Sequence, residues 1–417
     1  MFRFIHTADL HLDAPLRSLA LKDPELSELV GSATRQALER IVDTAIEEEV
    51  DALLIAGDLN DGDIRSMKTA AFLGAQMERL NTAGIPVFMI RGNHDAESVL
   101  TRELSLPPNV HAFTGHGGSE VLEAHGVAIH GVSFAKPQAP ESLLPKYAAP
   151  VPGHFNIGLL HTSLAGASGH DTYAPCSVSD LVAQGYDYWA LGHIHIRTVH
   201  HEHPHIVMPG MPQGRDIGEE GSKSATLVVV DDNRAVELQE ISTSAVEFQR
   251  VTCGLEGVDD LRDALDRIKA SLTTCTQSDA DHVVVRLSLA GATPLAWQIR
   301  RDQDLLNEQV GEIARALGGV WIDKIVLDIE RPKATETGTD ARSELHALMK
   351  ELQNDPSFQA RAARDLEDLV SDLPPEIRSD FGVDEEMRQK TLEEILGLGI
   401  EAVTARMMAD AKDGETP

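Results

Sequence analysis

The sequence predicts an α/β fold for the first half of the chain. Short apolar segments alternate with amphipathic ones, as strands and helices do in layered α/β proteins. Side chains able to bind metal follow several of these segments, where loops at the carboxyl edge of an α/β sheet converge. Six segments rich in aliphatic and aromatic residues are predicted to be buried strands: 2–7, 52–56, 86–90, 127–134, 155–160 and 188–191.

Helices are predicted between the first strands. Five apolar residues recur at helical spacing after the first strand: Leu38, Ile41, Val42, Ala45 and Ile46. We expect Ser32 to cap the start of this helix. A second helix is predicted over residues 66–82, and strands over 205–208, 225–230 and 236–241 complete the first half.

The pattern changes near residue 245 and predicts two further regions. A small α+β unit is expected from these elements: strand 247–252, helix 258–271, strand 282–289, helix 300–317 and strand 320–329. Residues 331–339 have the composition of a linker. The remainder is acidic and helical, with apolar positions such as Leu345, Leu348, Met349 and Leu352 on one face. We therefore predict three domains: 1–244, 245–331 as a capping domain, and 340–417 as a partner-docking region.

Composition limits the classes of function. The 417 residues carry a net charge of −31, and residues 351–417 alone contain 7 basic and 17 acidic side chains. This charge argues against broad electrostatic binding of DNA by the free subunit, although it does not exclude a phosphodiester held at metal ions. No apolar run approaches the length of a membrane span, the N-terminus lacks secretory features, and the three cysteines favour no disulfide framework. We expect a cytoplasmic protein with no membrane partner.

Seven side chains with metal-donor chemistry are the main functional signal. They comprise two carboxylates, one amide and four imidazoles: Asp9, His11, Asp58, Asn93, His161, His193 and His195. This number exceeds what one small ion uses, and with a bridging carboxylate it suits two ions. Oxygen and nitrogen donors without thiolates suit manganese, iron or zinc. We predict two divalent ions, with Mn²⁺ as the expected metal, and chemistry on phosphate esters.

The ordered motifs resemble those of the calcineurin-like metallophosphoesterase superfamily. They are Asp9-x-His11, Gly57-Asp58, Gly92-Asn93-His94-Asp95, His161 and Gly192-His193-x-His195. The resemblance implies a four-layer αββα sandwich of two sheets between helices. It also implies that Asp9, His11, Asp58 and His195 hold one ion. The other ion would be held by Asp58, Asn93, His161 and His193, so that Asp58 bridges the two.

Within this superfamily the chain is similar to bacterial DNA repair exonucleases of the SbcD and YhaO type. Four segments carry the similarity: 4–12, 173–176, 188–195 and 209–215. The similarity implies a DNA exonuclease subunit, a capping domain that shapes the DNA entrance, and helices that dock an SMC-like coiled-coil ATPase. SbcD-type nucleases often carry a histidine after the bridging aspartate, whereas this chain has Asp61, which favours the YhaO branch.

Other residues near the motifs receive specific expectations. His94 is placed to stabilise the transition state or to protonate the leaving oxygen, with a purely structural role as the alternative. Asp95 is expected to orient His94 by a hydrogen bond, and both Asp61 and Asp95 are expected to support the ligands without binding an ion. The run His200, His201, His203 and His205 is interpreted as a solvated loop, with a third metal site as the alternative. Arg197 and Arg215 are either phosphate contacts or ion-pair partners, and Cys176 is interpreted as a packing residue.

Two alternatives to a DNA nuclease remain open. One is a phosphoesterase for small phosphodiesters such as cyclic nucleotides or nucleotides, although such an enzyme has little need of a cap and docking helices. The other is a scaffold or assembly factor with a vestigial metal centre. The C-terminal helices have a solvated tail as their alternative, and the sequence also leaves open whether the chain forms a homodimer and which DNA end an exonuclease attacks.

Overall fold

Two six-stranded sheets form the centre of the first part of the chain. The computed structural model describes residues 1–14, 24–60, 67–97, 106–164, 173–332, 341–371, 373, 378, 381 and 385–409. The strands of the two sheets are β1 (Phe2–Thr7), β2 (Ala52–Ala56), β3 (Val87–Ile90), β4 (Val110–Ala112), β5 (Gly118–Leu122), β6 (Val127–Gly131), β7 (Phe155–His161), β8 (Tyr188–Gly192), β9 (Thr198–Glu202), β10 (His205–Met208), β11 (Ser224–Val230) and β12 (Val236–Ser242).

Both sheets contain four parallel strands, with antiparallel strands at one edge of the first sheet and at both edges of the second. The first has the order β12-β11-β1-β2-β3-β4, in which β1 to β4 are parallel. The second has the order β5-β6-β7-β8-β10-β9, with β6, β7, β8 and β10 parallel. Parallel neighbours require crossover connections, which α1 (Pro24–Glu47) and α2 (Met67–Thr82) provide for the first sheet. The carboxyl ends of β1, β2 and β3 consequently lie at one edge.

Apolar side chains on both faces of each sheet produce a layered core. Phe4 and Leu54 of the first sheet share one cluster with Ile157 and Tyr188 of the second. The opposite face of the first sheet, including Leu53, packs with residues of α1 and α2. The outer face of the second sheet packs with Leu181 of α4 (Val178–Gln184), which follows the short helix α3 (Asn93–Glu97). The mixed α/β fold with stacked sheets and covering helices is thus confirmed.

Three local predictions are wrong. The first helix begins at Pro24, so Ser32 lies inside it, and the Ser32 hydroxyl donates to the Leu29 carbonyl instead of capping the start. Proline suits the first helical turn because a backbone N–H at that position would have no acceptor within the helix. The predicted helix 300–317 is two helices, α6 (Ala296–Arg301) and α7 (Gln303–Leu317), separated at Asp302.

The third wrong prediction concerns the histidine run. His200 and His201 lie in β9 and His205 in β10 rather than in a loop, whereas His203 lies in the turn between them; His200 and His203 are exposed to solvent as predicted. His201 and Ile206 are paired across the hairpin. The hairpin forms the edge of the second sheet. The repeated histidines do not show the alternation of polar and apolar residues that indicates a strand. An edge strand tolerates polar residues on both faces.

A third sheet, with order β13-β14-β15, lies in the region after residue 245. Its strands are β13 (Val246–Gly254), β14 (His282–Ala292) and β15 (Val320–Glu330), and its region also contains α5 (Leu261–Thr273). Asp260 caps α5 by accepting from the backbone N–H groups of Arg262 and Asp263. Three helices follow in the C-terminal region: α8 (Ala341–Gln353), α9 (Pro356–Ser371) and α10 (Glu385–Ala409).

Contacts divide the chain into two compact units. The first contains Met1–Arg250, Cys275–Val285 and Gly319–Asp323, and the second contains Val251–Thr274, Arg286–Gly318 and Lys324–Pro417. Within the second unit, α10 packs against α6 and α8, and it buries Leu392 and Ile400. The three predicted domain ranges stay a prediction. In the described part of the chain, no helix is both long and apolar enough to cross a membrane.

Candidate metal centre

The candidate ligands meet at the carboxyl edge of the two sheets. Asp9 lies just after β1, Asp58 after β2, and Asn93 begins α3 shortly after β3. From the second sheet, His161 ends β7 and His193 follows β8. Strand direction therefore assembles residues that are far apart in sequence, as expected for ligand sites in α/β sheets.

Asp9, His11 and His195 form one group. Each offers a ligand atom, and these atoms all lie within 4.8 Å of one another. The Nε2 atoms of His11 and His195 approach to 3.2 Å. Because both imidazoles direct a ring nitrogen to the same point, this group has the convergence that a single cation requires.

Asp58, His161 and His193 form the second group, again with ligand atoms within 4.8 Å of one another. The Nε2 atom of His161 lies 3.3 Å from Asp58 Oδ2 and 3.0 Å from Asn93 Oδ1. Its Nδ1 atom lies 3.0 Å from the Ala56 carbonyl oxygen. If Nδ1 donates to that carbonyl, Nε2 is left as the ligand atom. The structure thus brings six of the seven predicted side chains into two groups, and Asn93 contacts His161 of the second. The sharing of Asp58 by both ions stays a prediction.

Burial and charge at this edge shift the pKa values of the group members. Burial alone would lower the pKa of His161, but the adjacent Asp58 carboxylate outweighs it and raises that pKa to about 9. Burial opposes the charged form of Asp58, yet the positive charge of His161 holds the Asp58 pKa well below its usual range. For Asp9, burial is the larger effect and raises the pKa. The buried carboxylates therefore favour positive charge between the two donor groups.

The donor set fits two divalent cations. Asp9 and Asp58 are 0% and 2% exposed, and buried carboxylates are costly unless positive charge compensates them. The remaining donors are imidazole nitrogens and the Asn93 amide oxygen, which suit manganese, iron or zinc. These observations support two candidate metal-binding groups at this edge.

Backbone strain is concentrated in the same residues. Asp9, His11, Asp58 and His193 have φ angles of 54°, 42°, 50° and 105°, in the region that favours glycine. Each such conformation costs about 1–3 kcal/mol and persists only where surrounding contacts fix it. The strain is consistent with loops held in position for binding rather than for stability.

Hydrogen bonds between loops supply the contacts that fix them. The backbone N–H of His193 donates to both carboxylate oxygens of Asp9, at 3.1 and 3.0 Å. The backbone N–H of His11 donates to the Asp58 carbonyl oxygen at 3.1 Å. Each group thus holds the backbone of the other, and the two sheets are joined at the site.

Asp95 positions the loops that carry Asp58 and Asn93. Its fully buried carboxylate accepts from the backbone N–H groups of Leu59, Asn60 and Gly92. Burial together with the charge of Asp58 raises the Asp95 pKa to about 6. These contacts place Asp95 on the backbone beside the ligands, and its predicted hydrogen bond to His94 stays a prediction.

Glycines beside the ligands allow the loops to approach closely. A Cβ atom on Gly92 would lie 2.2 Å from Asp58 Oδ1 and 2.8 Å from His161 Cε1. A Cβ atom on Gly192 would lie 2.1 Å from the Ala56 carbonyl oxygen, the same oxygen that orients His161. The glycines of the motifs therefore provide space for the second group.

Glu219 is a supporting residue that the sequence motifs do not reveal. Its Oε1 atom lies 2.8 Å from His195 Nδ1, which leaves Nε2 of that ring directed at the first group. Arg215 holds Glu219 through its backbone N–H, Nε and Nη2. Burial opposes the charged form of Glu219, but its hydrogen bonds to His195 and Arg215 hold its pKa well below the usual range. This is the carboxylate–histidine arrangement that commonly orients metal ligands.

The other residues singled out by sequence have varied positions. The ring of His94 meets that of His11 edge-on, with centroids 5.1 Å apart, so His94 borders the first group. Arg197 pairs with Glu240 and donates to the Thr226 hydroxyl, and Arg215 pairs with Glu219, which makes both of them ion-pair partners. Cys176 is buried and free, as a packing residue would be. Asp61 lies outside the described residues.

Comparison with known proteins identifies the family. A family model described as calcineurin-like phosphoesterase matches residues 2–197, and one described as the middle domain of metallophosphoesterase YhaO matches residues 248–330. The metallophosphoesterase YhaO of Bacillus subtilis (strain 168) is 32% identical over 401 residues, covering 89% of this chain and 94% of that protein. The chain therefore belongs to the calcineurin-like metallophosphoesterases, which are metal-dependent phosphoester hydrolases. Within them it is similar to YhaO.

More distant similarity extends to proteins named for DNA repair. The DNA double-strand break repair protein Mre11 of Sulfurisphaera tokodaii is 25% identical over 202 residues, covering 47% of this chain and 50% of that protein. Among solved structures, a dimetal phosphatase from Danio rerio aligns with 58% of this chain and 98% of its own, with 10% identity and a TM-score of 0.37. The predicted superfamily is confirmed, and the SbcD-type assignment stays a prediction.

Proposed function

We propose that this protein is a two-metal DNA nuclease, acting as an exonuclease subunit in DNA repair with Mn²⁺ as its metal. The observation that carries the proposal is the pair of three-donor groups at one sheet edge, joined by hydrogen bonds between their loops. The distant similarity to Mre11 proteins supports DNA as the substrate. Asp58 is the proposed bridging ligand, because its ligand atom lies within 4.8 Å of those of His161 and His193 and its carbonyl oxygen accepts from the backbone N–H of His11.

The residues of the chain have distinct parts in this chemistry. When bound, two adjacent divalent ions neutralise charge on a phosphodiester and activate water. Asp9, His11 and His195 would hold one ion, and Asn93, His161 and His193 the other, with Asp58 shared. His94 borders the first group and is half-buried, so its ring is available to a substrate. We assign it transition-state stabilisation or proton donation to the leaving oxygen.

The first experiment tests the reaction and the substrate together. Purified protein with Mn²⁺ is given end-labelled linear duplex DNA and, separately, bis-p-nitrophenyl phosphate. We expect degradation of the DNA from its ends and slower hydrolysis of the small ester. An Asp58→Asn variant should lose both activities because it removes a charged donor from the second group. Hydrolysis of the small ester without any cleavage of DNA would reject the DNA assignment.

A second variant tests His94. We expect His94→Ala to lower kcat on DNA by about 10²–10⁴-fold, the usual contribution of acid–base catalysis, while Mn²⁺ still binds at two ions per chain. Metal content is measured by elemental analysis of the dialysed protein. Wild-type turnover in a variant with intact metal binding would remove His94 from the mechanism.

A phosphodiesterase for cyclic nucleotides or nucleotides is the second candidate. The net charge of −31 favours it, because long-range repulsion discourages a polyanionic substrate more than a small one. A vestigial centre in a scaffold is a third possibility, supported by neither the donor chemistry nor the burial of the carboxylates. Absence of bound ion in excess Mn²⁺ would favour the scaffold.

The C-terminal helices are proposed to dock an SMC-like coiled-coil ATPase. Leu348 and Leu352, one turn apart on α8, have exposures of 64% and 46%, and an exposed apolar pair on one helix face suits a partner. Deleting the whole region would also remove α10, which buries Leu392 and Ile400. The sharper test is therefore the double variant Leu348→Ser, Leu352→Ser.

We expect this double variant to lose co-purification with an ATPase encoded in the same genome while its nuclease activity is retained. Val182→Ser, which alters an exposed apolar residue of α4 in the first unit, is the matched control. Retention of the ATPase by the double variant would contradict docking through α8.

A further inference from the structure

A cavity with cationic walls lies beside the candidate metal centre. It has a volume of about 450 Å³, within the range of small-ligand pockets. Its lining consists of cationic or titratable side chains and small or apolar residues: Arg91, Ala96, Gly115, His116, Phe134, Ala135 and Lys146. None of these seven described residues carries a carboxylate, which is unusual for a chain with a net charge of −31.

The cavity is built onto the same loop that carries Asn93. Arg91 lies two residues before Asn93, and its backbone is fixed on both sides. The backbone N–H of Arg91 donates to the Ser133 hydroxyl at 2.9 Å, and the Arg91 carbonyl accepts from the Phe134 N–H at 2.9 Å. Phe134 in turn meets the His161 ring edge-on, with centroids 5.6 Å apart. One aromatic ring therefore separates the cavity from the second donor group.

The charges of this cavity are available to a ligand. Across the described ranges, neither Arg91 nor Lys146 forms an ion pair, and the Lys146 ammonium group donates to the Gly115 carbonyl oxygen at 3.1 Å. This contrasts with Arg197 and Arg215, whose charges are matched by Glu240 and Glu219. Of the three described arginines Arg91, Arg197 and Arg215, Arg91 is therefore the one suited to bind an external anion.

We propose that this cavity binds a second phosphate group of a nucleic-acid strand, next to the phosphodiester held at the metal centre. Arg91 and Lys146 would contact the phosphate oxygens, and the apolar wall at Ala96 and Phe134 would pack against the attached sugar. Contacts of this kind position a strand without reading its sequence. The inference rests on the proposed function, since it selects polynucleotides over diesters that contain a single phosphate.

Binding without metal gives the first test. The affinity of the full-length protein for a fluorescein-labelled single-stranded oligonucleotide is measured by anisotropy in EDTA over a series of salt concentrations. We expect Arg91→Ala and Lys146→Ala each to weaken binding about tenfold and to reduce the slope of log affinity against log salt by about 0.7, the value for one phosphate contact in a single strand. Arg234→Ala, at the opposite end of the first sheet, removes the same charge and should change neither quantity.

Catalysis gives the second test. With Mn²⁺, we expect Arg91→Ala to lower the ratio of kcat/KM on the oligonucleotide to kcat/KM on bis-p-nitrophenyl phosphate by about tenfold, mainly through KM for the oligonucleotide. Arg91→Lys should recover part of the ratio. Circular dichroism and metal content confirm that each variant is folded and loaded.

The outcomes distinguish the inference from the proposed function. If DNA is cleaved but the Arg91 and Lys146 variants retain the wild-type salt slope and substrate ratio, the cavity is not a phosphate subsite. If the wild-type protein hydrolyses only the small ester and binds no oligonucleotide, the nuclease function fails and the subsite fails with it.

Discussion

The two donor groups differ in what orients their histidines. His161 of the second group is fully buried, and its Nδ1 atom lies 3.0 Å from the Ala56 carbonyl oxygen of β2. His195 of the first group has a side chain 27% exposed, and its Nδ1 atom faces the Glu219 carboxylate, which Arg215 holds in turn. One ring is positioned by the main chain of a central strand, and the other by two successive side chains.

This difference determines how each group can be altered. A carbonyl oxygen of a strand cannot be removed by substitution, so the second group is sensitive mainly to changes in the space around it. A carboxylate can be neutralised by one substitution, so the first group is sensitive to the chemistry of its support. Substitutions can therefore test packing around the second group and the supporting carboxylate of the first.

The largest effect is expected from filling space in the second group. Gly92→Ala places a Cβ atom 2.2 Å from Asp58 Oδ1, so the loop must move. We expect the free energy of unfolding to fall by about 1–3 kcal/mol, as in overpacked cores, and hydrolysis of bis-p-nitrophenyl phosphate to fall about 100-fold. Urea denaturation and steady-state kinetics provide the two measurements.

Gly74→Ala is the matched control for this substitution. Gly74 lies in α2, and nothing is within 4 Å of a Cβ atom placed on it. It should raise the free energy of unfolding by up to about 1 kcal/mol and leave kcat/KM unchanged. Equal effects of the two substitutions would show that the close packing beside Asp58 has no special importance.

An intermediate effect is expected from neutralising the support of the first group. Glu219→Gln replaces the acceptor that faces His195 Nδ1, and the affinity for one of two Mn²⁺ ions should fall about 10–100-fold. Isothermal titration should then show one site of wild-type affinity and one weakened site. The neighbouring Glu220→Gln, at a half-exposed pair with Arg250, should bind both ions normally. Two unweakened sites in Glu219→Gln would remove Glu219 from the positioning of His195.

A smaller effect, on the free energy of unfolding alone, is expected for His6, a third buried histidine that belongs to neither donor group. The two ring nitrogens of His6 lie 3.1 Å from the Tyr188 hydroxyl and 3.0 Å from the Leu191 carbonyl oxygen, and burial lowers its pKa to about 3. As the pH falls below 6.5, His6 therefore becomes protonated in the unfolded chain before it does so in the folded protein. Stability linked to His6 is complete above pH 6.5 and is lost progressively as the pH falls toward 3.

Through His6, the free energy of unfolding should fall by about 2 kcal/mol from pH 7 to pH 5. We expect His6→Asn to lose less stability than wild type over that interval in urea denaturation, and His116→Gln, which alters an exposed ring, to follow wild type. A His6→Asn variant with the same pH dependence as wild type would show that folding does not lower the pKa of His6.

Much of the fold and of the site could be predicted because the signals were local and ordered. The strands that carry Asp9, Asp58 and His161 are continuous apolar runs, and strand direction then places their ends together. Glu219 could not be predicted, since it lies 24 positions after His195 in a 3₁₀ turn, and no spacing rule connects the two. Ser32 resembles a capping residue, but α1 begins at Pro24 because apolar residues before Ser32, such as Val30, are also buried.

The hydrogen bonds between the two donor groups have a consequence for how such a site evolves. The Asp9 carboxylate receives both of its described backbone contacts from His193, a member of the other group. Losing Asp9 would therefore displace His193 as well, so substitutions in the two groups should be strongly non-additive. A lineage that loses one ion site loses the selective reason to keep the other. Descendants are expected to carry either the full set of donors or a thoroughly eroded one.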